Sequence, residues 1–366
     1  MSAQSHPHRL NLRRGDMVEV CSVDEILATL DSRARLDGLP FMPEMLAFAG
    51  LRFQVAGRAD RTCDRVERKG IRLMVDAVHL EGVRCNGASH DGCDALCLIY
   101  WKEAWLKRAD ASANAAPAKP QSSLDAARER PAIGHIFEHT RKGQADDGAP
   151  IYSCQATEEL DYTAAPPADE RHSYWVDVKC GNVPWHEAAR TWLVERFNKF
   201  QAARGGTQYP PLGGTITKTP IKTLDLQPGE LVQVRTREEI QQTIDIEGKN
   251  RGLSFDREML PYCGGSYRVL KRVTKIIDEP NGRMMLMKRD CVILDGVVCQ
   301  SRYHGLCQRA IYPYWREIWL RRVPESAAST RPTGEGSFGM FVLSNAFGMV
   351  ARRLFGRPRS TASEGS

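Results

Sequence analysis

Short runs of alternating apolar and polar residues mark the start of the folded chain. Residues 17–20 alternate with period two, which predicts a short strand. Ser22 then precedes a helical apolar pattern and is followed three residues later by Glu25, the spacing of a capping box. A second short helix is predicted at 41–46, where Pro43 lies in the first turn.

The remaining apolar patterns up to residue 108 predict strands rather than helices. They lie at 52–55, at 73–80 and at 104–108. Four or five short strands with a helical insertion are typical of a small, strongly bent β-barrel of SH3-like type. We therefore expect an α+β fold containing such a barrel.

The same pattern occurs twice in the chain. Residues 229–322 match residues 15–108 without a gap, with 31 identities in 94 positions, and Cys85 falls on Cys299 (299 − 85 = 214). Two copies are too few for a solenoid. The sequence predicts two tandem-duplicated small SH3-like β-barrel repeats, each with a helical insertion, flanking a mainly helical middle segment.

Composition divides the rest of the chain. The predicted parts are an N-terminal tail at 1–14, the first repeat at 15–108, a linker at 109–130, the middle segment at 131–205, a linker at 206–228, the second repeat at 229–323 and a flexible tail at 324–366. In the middle segment, residues 183–200 predict an amphipathic helix that buries Trp192, Phe197 and Phe200.

Charge and hydropathy limit the compartment and the partners. The net charge of +6 over 366 residues is modest, so nucleic acid is not the expected partner. No signal peptide or membrane span is recognised, which predicts a cytoplasmic protein with reduced cysteines. The apolar segment 338–355 ends near Arg352 and Arg353. It leaves open peripheral contact with an anionic membrane, docking on a protein surface, and disorder.

Eleven cysteines cluster in a way that favours metal binding over disulfides in a reducing compartment. The candidate metal ligands of the first repeat are Cys63, Cys85, His90, Cys93 and Cys97. Thiolate and imidazole are zinc ligands, and an iron–sulfur cluster is the alternative. The spacing is neither that of zinc ribbons nor that of ferredoxins, so small buried hydrophobes remain another interpretation. Cys154 of the middle segment is a possible additional ligand.

The second repeat carries a reduced set of these residues. It has Cys299, His304 and Cys307, but Ile277 and Ile311 stand at the positions of Cys63 and Cys97. Loss of the metal is the favoured interpretation. In the alternative, a shared Cys/His/Cys core takes Cys291 as its fourth ligand.

No catalytic motif accompanies these residues. The chain contains no nucleophile elbow, P-loop, dinucleotide fingerprint or zinc-protease helix motif. The Trp-x-x-x-Trp-Leu motif found in both copies predicts core aromatics. We predict a non-enzymatic metal-binding tandem-repeat adaptor or accessory protein, with zinc as the expected metal and a protein as the expected partner. The alternative is a metal- or iron–sulfur-dependent enzyme whose site lies at the first repeat and the middle segment.

Overall fold

The computed structural model describes residues 9–110, 131–166 and 173–327. The fold is mixed α+β, with 22% helix and 26% strand, and its strands form small antiparallel sheets, one of them curved into a half-barrel. We call residues 9–110 the first half, residues 131–205 the middle segment and residues 206–327 the second half.

Nine strands, one α-helix and two 3-10 helices make up the first half. The strands are β1 Met17–Val20, β2 Arg35–Leu36, β3 Leu39–Pro40, β4 Arg52–Arg58, β5 Arg61–Cys63, β6 Ile71–Leu73, β7 Ala77–Arg84, β8 Leu98–Lys102 and β9 Leu106–Arg108. The helix is α1 Val23–Leu27, and the 3-10 helices are Pro43–Phe48 and Glu103–Trp105.

The middle segment and the second half contain the remaining elements. The middle segment has α2 Pro131–Glu138, β10 Arg141–Gln144, β11 Pro150–Tyr152, α3 Glu159–Tyr162, α4 Ser173–Lys179 and α5 Trp185–Ala203. The second half has β12 Leu231–Val234, α6 Arg237–Gln241, β13 Lys249–Asn250, β14 Leu253–Ser254, β15 Ser266–Arg272, β16 Lys275–Ile277, β17 Met284–Leu286, β18 Cys291–Leu294, β19 Trp315–Arg316 and β20 Leu320–Arg322, with 3-10 helices at Arg257–Tyr262, Glu317–Trp319 and Glu325–Ala327.

The five-stranded sheets of the two halves have matching strand orders. The order is β8-β7-β4-β1-β9 in the first and β19-β18-β15-β12-β20 in the second. The registers also match at the sequence offset, because Met17 pairs with Gln54 and Leu231 pairs with Arg268. The expected capping box is present in both halves, at Ser22 and at Thr236.

Each half encloses its own apolar core. Trp101 and Trp105 in the first core, and Trp315 and Trp319 in the second, are fully buried, which confirms the prediction of core aromatics. Phe255 packs edge-to-face against both second-half tryptophans, as aromatic pairs prefer.

A buried carboxylate fastens the incoming chain to each core. Glu103 accepts the amides of residues 10, 11 and 12, and Arg58 donates to the same carboxylate at 2.7 Å. Glu317 accepts the amides of residues 224, 225 and 226, and Arg272 lies 3.4 Å from it. Several donors on one buried carboxylate stabilise its charge without water.

The two halves contact each other through matching backbone groups. The amide of Asp94 donates to the carbonyl of Lys275 at 2.9 Å, and the amide of Gln308 donates to the carbonyl of Arg61 at 3.4 Å. At the offset of 214, Asp94 corresponds to Gln308 and Arg61 corresponds to Lys275, so each contact is the counterpart of the other. Contacts exchanged in this reciprocal way are those of a two-fold arrangement.

The middle segment packs mainly on the first half. The Gln155 side chain accepts the amide of Tyr100 at 2.9 Å and donates to the carbonyls of Tyr100 and Pro40 at 3.0 Å. Arg35, also in the first half, donates to Glu158 at 2.9 Å. These contacts bring residues 153–158 against the loops of the first half.

The amphipathic helix predicted at 183–200 corresponds to α5. The prediction that Trp192 and Phe200 are buried is wrong, because they are 47% and 59% exposed. Both residues lie on the exposed side of α5, whereas its buried residues include Ala188, Thr191 and Val194.

The segment 338–355 and most of the linker at 109–130 lie outside the described residues. Within the described ranges, no helix is both long enough and apolar enough to cross a bilayer.

Candidate metal centre

Three ligand-type side chains from separate elements converge in the first half. Glu44 lies on the 3-10 helix Pro43–Phe48, Cys85 directly follows β7, and His90 lies in the turn beyond it. One donor atom from each residue lies within 4.8 Å of the other two. The amide of Cys85 donates to the carbonyl of Cys97 at 2.9 Å, which holds the two ends of the Cys/His loop together.

Glu44 is the acid of this group, and its side chain is only 1% exposed. Its Oε1 accepts the amide of Ser89 and Nδ1 of His90, both at 2.9 Å. Its Oε2 is buried and has no hydrogen-bond partner among the described residues. Burial raises the pKa of Glu44, but the hydrogen bond and charge of His90 outweigh burial and lower the pKa overall. A buried carboxylate oxygen without a partner is costly unless a cation completes it.

His90 is fixed at both ring nitrogens. Nε2 lies 3.1 Å from the carbonyl of Ser153, and Nδ1 faces Glu44. Burial lowers the pKa of His90, but its contacts with Glu44 raise it overall. A carbonyl that holds one ring nitrogen is also the usual outer contact of a metal-binding histidine, and it leaves the other nitrogen to face the ion.

Further cysteines surround this group. Burial raises the pKa of Cys85 well above its ordinary value. The charge of Glu44 and the nearby Cys97 and Cys154 thiols raise it further. Burial also raises the pKa of Cys97 to about 12 and that of Cys154 to about 11, and both thiols lie within electrostatic range of Cys93. Cys97 and Cys154 thus lie close enough to influence the charge of Cys85, and Cys154 reaches this region because the middle segment packs here.

Two predicted ligands contact the second half. Sγ of Cys93 accepts the amide of Ile277 at 3.4 Å, and the corresponding contact is made by Cys63. The amide of Cys63 donates to Sγ of Cys307 at 3.1 Å, and its thiol lies 3.8 Å from the carbonyl of His304. Cys63 thus contacts the second half rather than the group formed by Glu44, Cys85 and His90.

The corresponding residues of the second half also converge. Donor atoms of Glu258, Cys299 and His304 lie within 4.8 Å of one another. Both carboxylate oxygens of Glu258 accept amides, from Tyr303 at 2.6 Å and from Gln300 at 3.2 Å. The second acid therefore has no oxygen left without a partner.

His304 has different partners from His90. Its Nδ1 lies 3.6 Å from Sγ of Cys299, and its Nε2 lies 3.4 Å from Asp256. Burial lowers the pKa of His304, but Asp256 and Cys299 raise it to about 11. Burial raises the pKa of Glu258 to about 7. The charges in the second-half group are already balanced by its own side chains.

Sequence reasoning missed two members of these groups. Neither Glu44 nor Glu258 is among the metal ligands that the sequence predicts. Their identity at the offset of 214, together with that of the Cys/His pairs, was the available signal. Asp256 had no such signal, because Met42 stands at its position in the first copy.

Comparison with known proteins returned no relationship on which to draw. No family model, no curated protein and no solved structure matches the chain. Any function must therefore be argued from the side chains themselves.

Proposed function

We propose that the protein binds one zinc ion in its first half, through Glu44, Cys85 and His90. The buried, unpartnered Oε2 of Glu44 carries this proposal, because it lies beside a thiol and an imidazole. Carboxylate oxygen, thiolate and imidazole nitrogen are all zinc ligands, with bonds of about 2.0–2.3 Å. Zinc binding would displace the proton of the hydrogen bond between Glu44 and His90.

A neighbouring cysteine completes the proposed tetrahedral site. Cys97 and Cys154 are the candidates for the fourth ligand because both thiols influence the charge of Cys85, and either would have to move closer than in the structure, where neither joins the set of donor atoms within 4.8 Å of one another. The alternative cofactor is an iron–sulfur cluster, held by Cys85, Cys93, Cys97 and Cys154 without the acid. The presence of Glu44 and His90 beside Cys85 favours zinc, since clusters are held chiefly by thiolates.

The site is closed, which favours a structural role over catalysis. Glu44 is 3% exposed and His90 is 1% exposed. Closed four-ligand zinc sites stabilise folds, whereas catalytic ones keep a position open. A 490 Å³ cavity is lined by Cys299 and Cys307 and by none of the three proposed ligands. This separation supports a non-enzymatic accessory protein over a metal-dependent enzyme.

The proposed architecture is a tandem duplication of one small SH3-like barrel. The matching strand orders, registers and reciprocal contacts support it. In this proposal one copy has kept the metal and the other has replaced it with a network of charged side chains. An adaptor role with a protein partner stays a prediction.

Metal analysis of anaerobically purified full-length protein, combined with its UV–visible spectrum, tests the proposal. We expect one zinc per chain and a colourless protein. Iron with absorbance near ~400 nm would instead support the cluster alternative. Protein that neither carries nor takes up any metal would contradict both.

A further inference from the structure

Two thiols face each other where the halves meet. Cys63 lies at the end of β5 in the first half, and Cys307 lies in the loop before β19 in the second. The amide of Cys63 donates to Sγ of Cys307 at 3.1 Å, and neither of the two residues is in a disulfide. The pair joins the two halves but takes no part in the proposed zinc site.

The surroundings of Cys307 stabilise a negative sulfur. Its Sγ accepts a second amide, from Arg309 at 3.5 Å. The Arg309 side chain is 5% exposed and donates to the carbonyl of Cys63 at 3.4 Å. Two amide donors and a buried guanidinium favour the thiolate over the thiol.

The titration of the two thiols runs in opposite directions. Burial raises the pKa of Cys307, but the hydrogen bond from the Cys63 thiol and the charge of Arg309 lower it overall. That same hydrogen bond raises the pKa of Cys63. One sulfur is therefore suited to attack, and the other remains a protonated thiol beside it.

The chain contains a matched comparison for this pair. Cys93 corresponds to Cys307, and its Sγ accepts the amide of Ile277 at 3.4 Å, just as Cys307 accepts that of Cys63. Ile277 supplies no thiol, however, and Ala95 stands where Arg309 stands in the second half. The backbone contact is repeated, but the second sulfur and the guanidinium are not.

Small oxidants can approach Cys307 from the cavity between the halves. This cavity has a volume of 490 Å³, and its lining includes Cys307, Gln308 and Arg84. A hydroperoxide is small and polar enough to enter such a space.

We propose that Cys307 and Cys63 are a hydroperoxide-oxidised thiol pair whose disulfide links the two halves. The Cys307 thiolate attacks the distal oxygen of hydrogen peroxide. An S–O bond forms, the O–O bond breaks, and hydroxide leaves with the electron pair. The Cys63 sulfur then attacks the sulfenic sulfur, an S–S bond forms, and the hydroxyl group leaves as water with the Cys63 proton.

Peptide mapping of full-length protein after brief treatment with hydrogen peroxide tests this proposal. We expect a cross-linked peptide joining residues 63 and 307, with the loss of two hydrogen atoms. Cys307 should react roughly tenfold faster than Cys93 or more, because the reaction follows the thiolate fraction. Oxidation of Cys93 at an equal or greater rate, or of Cys307 without a link to Cys63, would overturn the proposal.

Single variants separate the two steps. Cys63→Ser should let the sulfenic acid accumulate at Cys307, where dimedone traps it, whereas Cys180→Ser should leave the cross-link unchanged. Arg309→Lys keeps both thiols and a positive charge but loses the guanidinium contacts, so the cross-link should form several-fold more slowly. The mechanism would be contradicted if the cross-link formed at the wild-type rate in Arg309→Lys and no dimedone adduct appeared in Cys63→Ser. These two variants suffice for the test, so it does not depend on whether Cys307→Ser folds.

Discussion

His90 and His304 occupy corresponding positions but lie in different electrostatic environments. Nδ1 of His90 lies 2.9 Å from Glu44, whose second oxygen has no partner among the described residues, and Nε2 lies 3.1 Å from the Ser153 carbonyl. His304 lies between Cys299 and Asp256. The same Glu/Cys/His set therefore has an unpartnered carboxylate oxygen in one half and a nearby aspartate in the other.

Neighbours outside the shared set produce this difference. Position 256 is an aspartate, and the corresponding position in the first half is Met42. The middle segment supplies Ser153 and Cys154 to the first half, whereas it reaches the second-half loop through α5, where Arg190 donates to the hydroxyl of Tyr303 at 3.3 Å. Residue identity at the offset of 214 thus does not by itself establish equivalent chemistry.

The largest expected effect is on the free energy of unfolding, through the buried carboxylates Glu103 and Glu317 at corresponding positions of the two halves. Glu103→Gln should lower the free energy of unfolding by about 3–5 kcal/mol, since one amide oxygen cannot replace the charged acceptor of three backbone amides and of Arg58, which keeps only its ion pair with Asp60. Glu317→Gln should cost less, about 2–3 kcal/mol, because Arg272 is more exposed than Arg58, at 25% against 9%. Urea unfolding followed by circular dichroism measures both. A larger loss for Glu317→Gln would show that the comparison is wrong.

The second expected effect is on histidine titration. His304 has a pKa raised to about 11, and buried His79 has a pKa lowered to about 3. From about pH 5 to about pH 9, His304 should stay charged and His79 neutral, which NMR of the imidazole carbons and protons can follow. The charge on His304 stabilises the fold fully below its ordinary pKa, and this contribution is lost as pH rises toward 11.

Asp256→Asn tests the origin of that shift. The amide oxygen can still accept the Glu258 amide, which Asp256 accepts at 2.8 Å, but the charge beside His304 is gone. The pKa of His304 should fall by about 1–3 units. Met42→Leu, at the corresponding position, should leave the titration of His90 unchanged. An unshifted His304 in Asp256→Asn would assign the effect to Cys299 alone.

The smallest expected effect is on disulfide formation at Cys93, which contacts Ile277 where Cys307 contacts Cys63. Ile277→Cys places a second thiol beside Cys93, as Cys63 lies beside Cys307. Peroxide should then form a disulfide to Cys93, but more slowly than the one between Cys63 and Cys307, because no guanidinium stands at Ala95. Equal rates for the two disulfides would remove the role given to Arg309.

Local patterns predicted only part of each half. The strand expected at 73–80 is broken between β6 and β7, and the strand expected at 104–108 begins as a 3-10 helix and becomes a strand only at β9. The capping box at Ser22 and the strand at 17–20 depend on neighbouring residues, and both form as expected. Burial along α5 was predicted less well, because its pattern does not show which side faces protein, and Trp192 remains exposed.

The candidate site depends on contacts that sequence spacing does not reveal. Cys85 and His90 are close in sequence and also close in space, but Glu44 comes from a helix about forty residues earlier. Cys63 appeared to belong with them because it lies in the same copy. The reciprocal contact between the halves carries it to Cys307 instead, and this arrangement could not be inferred from one copy alone.

Metal content of two matched variants tests the central claim most directly. Cys85→Ser and Cys299→Ser make the same change at corresponding positions of the two halves. After loading with zinc and removal of free ion, wild-type protein and Cys299→Ser should each retain one zinc per chain, and Cys85→Ser should retain none. Equal zinc in all three proteins, or loss of zinc from Cys299→Ser alone, would contradict a metal centre confined to the first half.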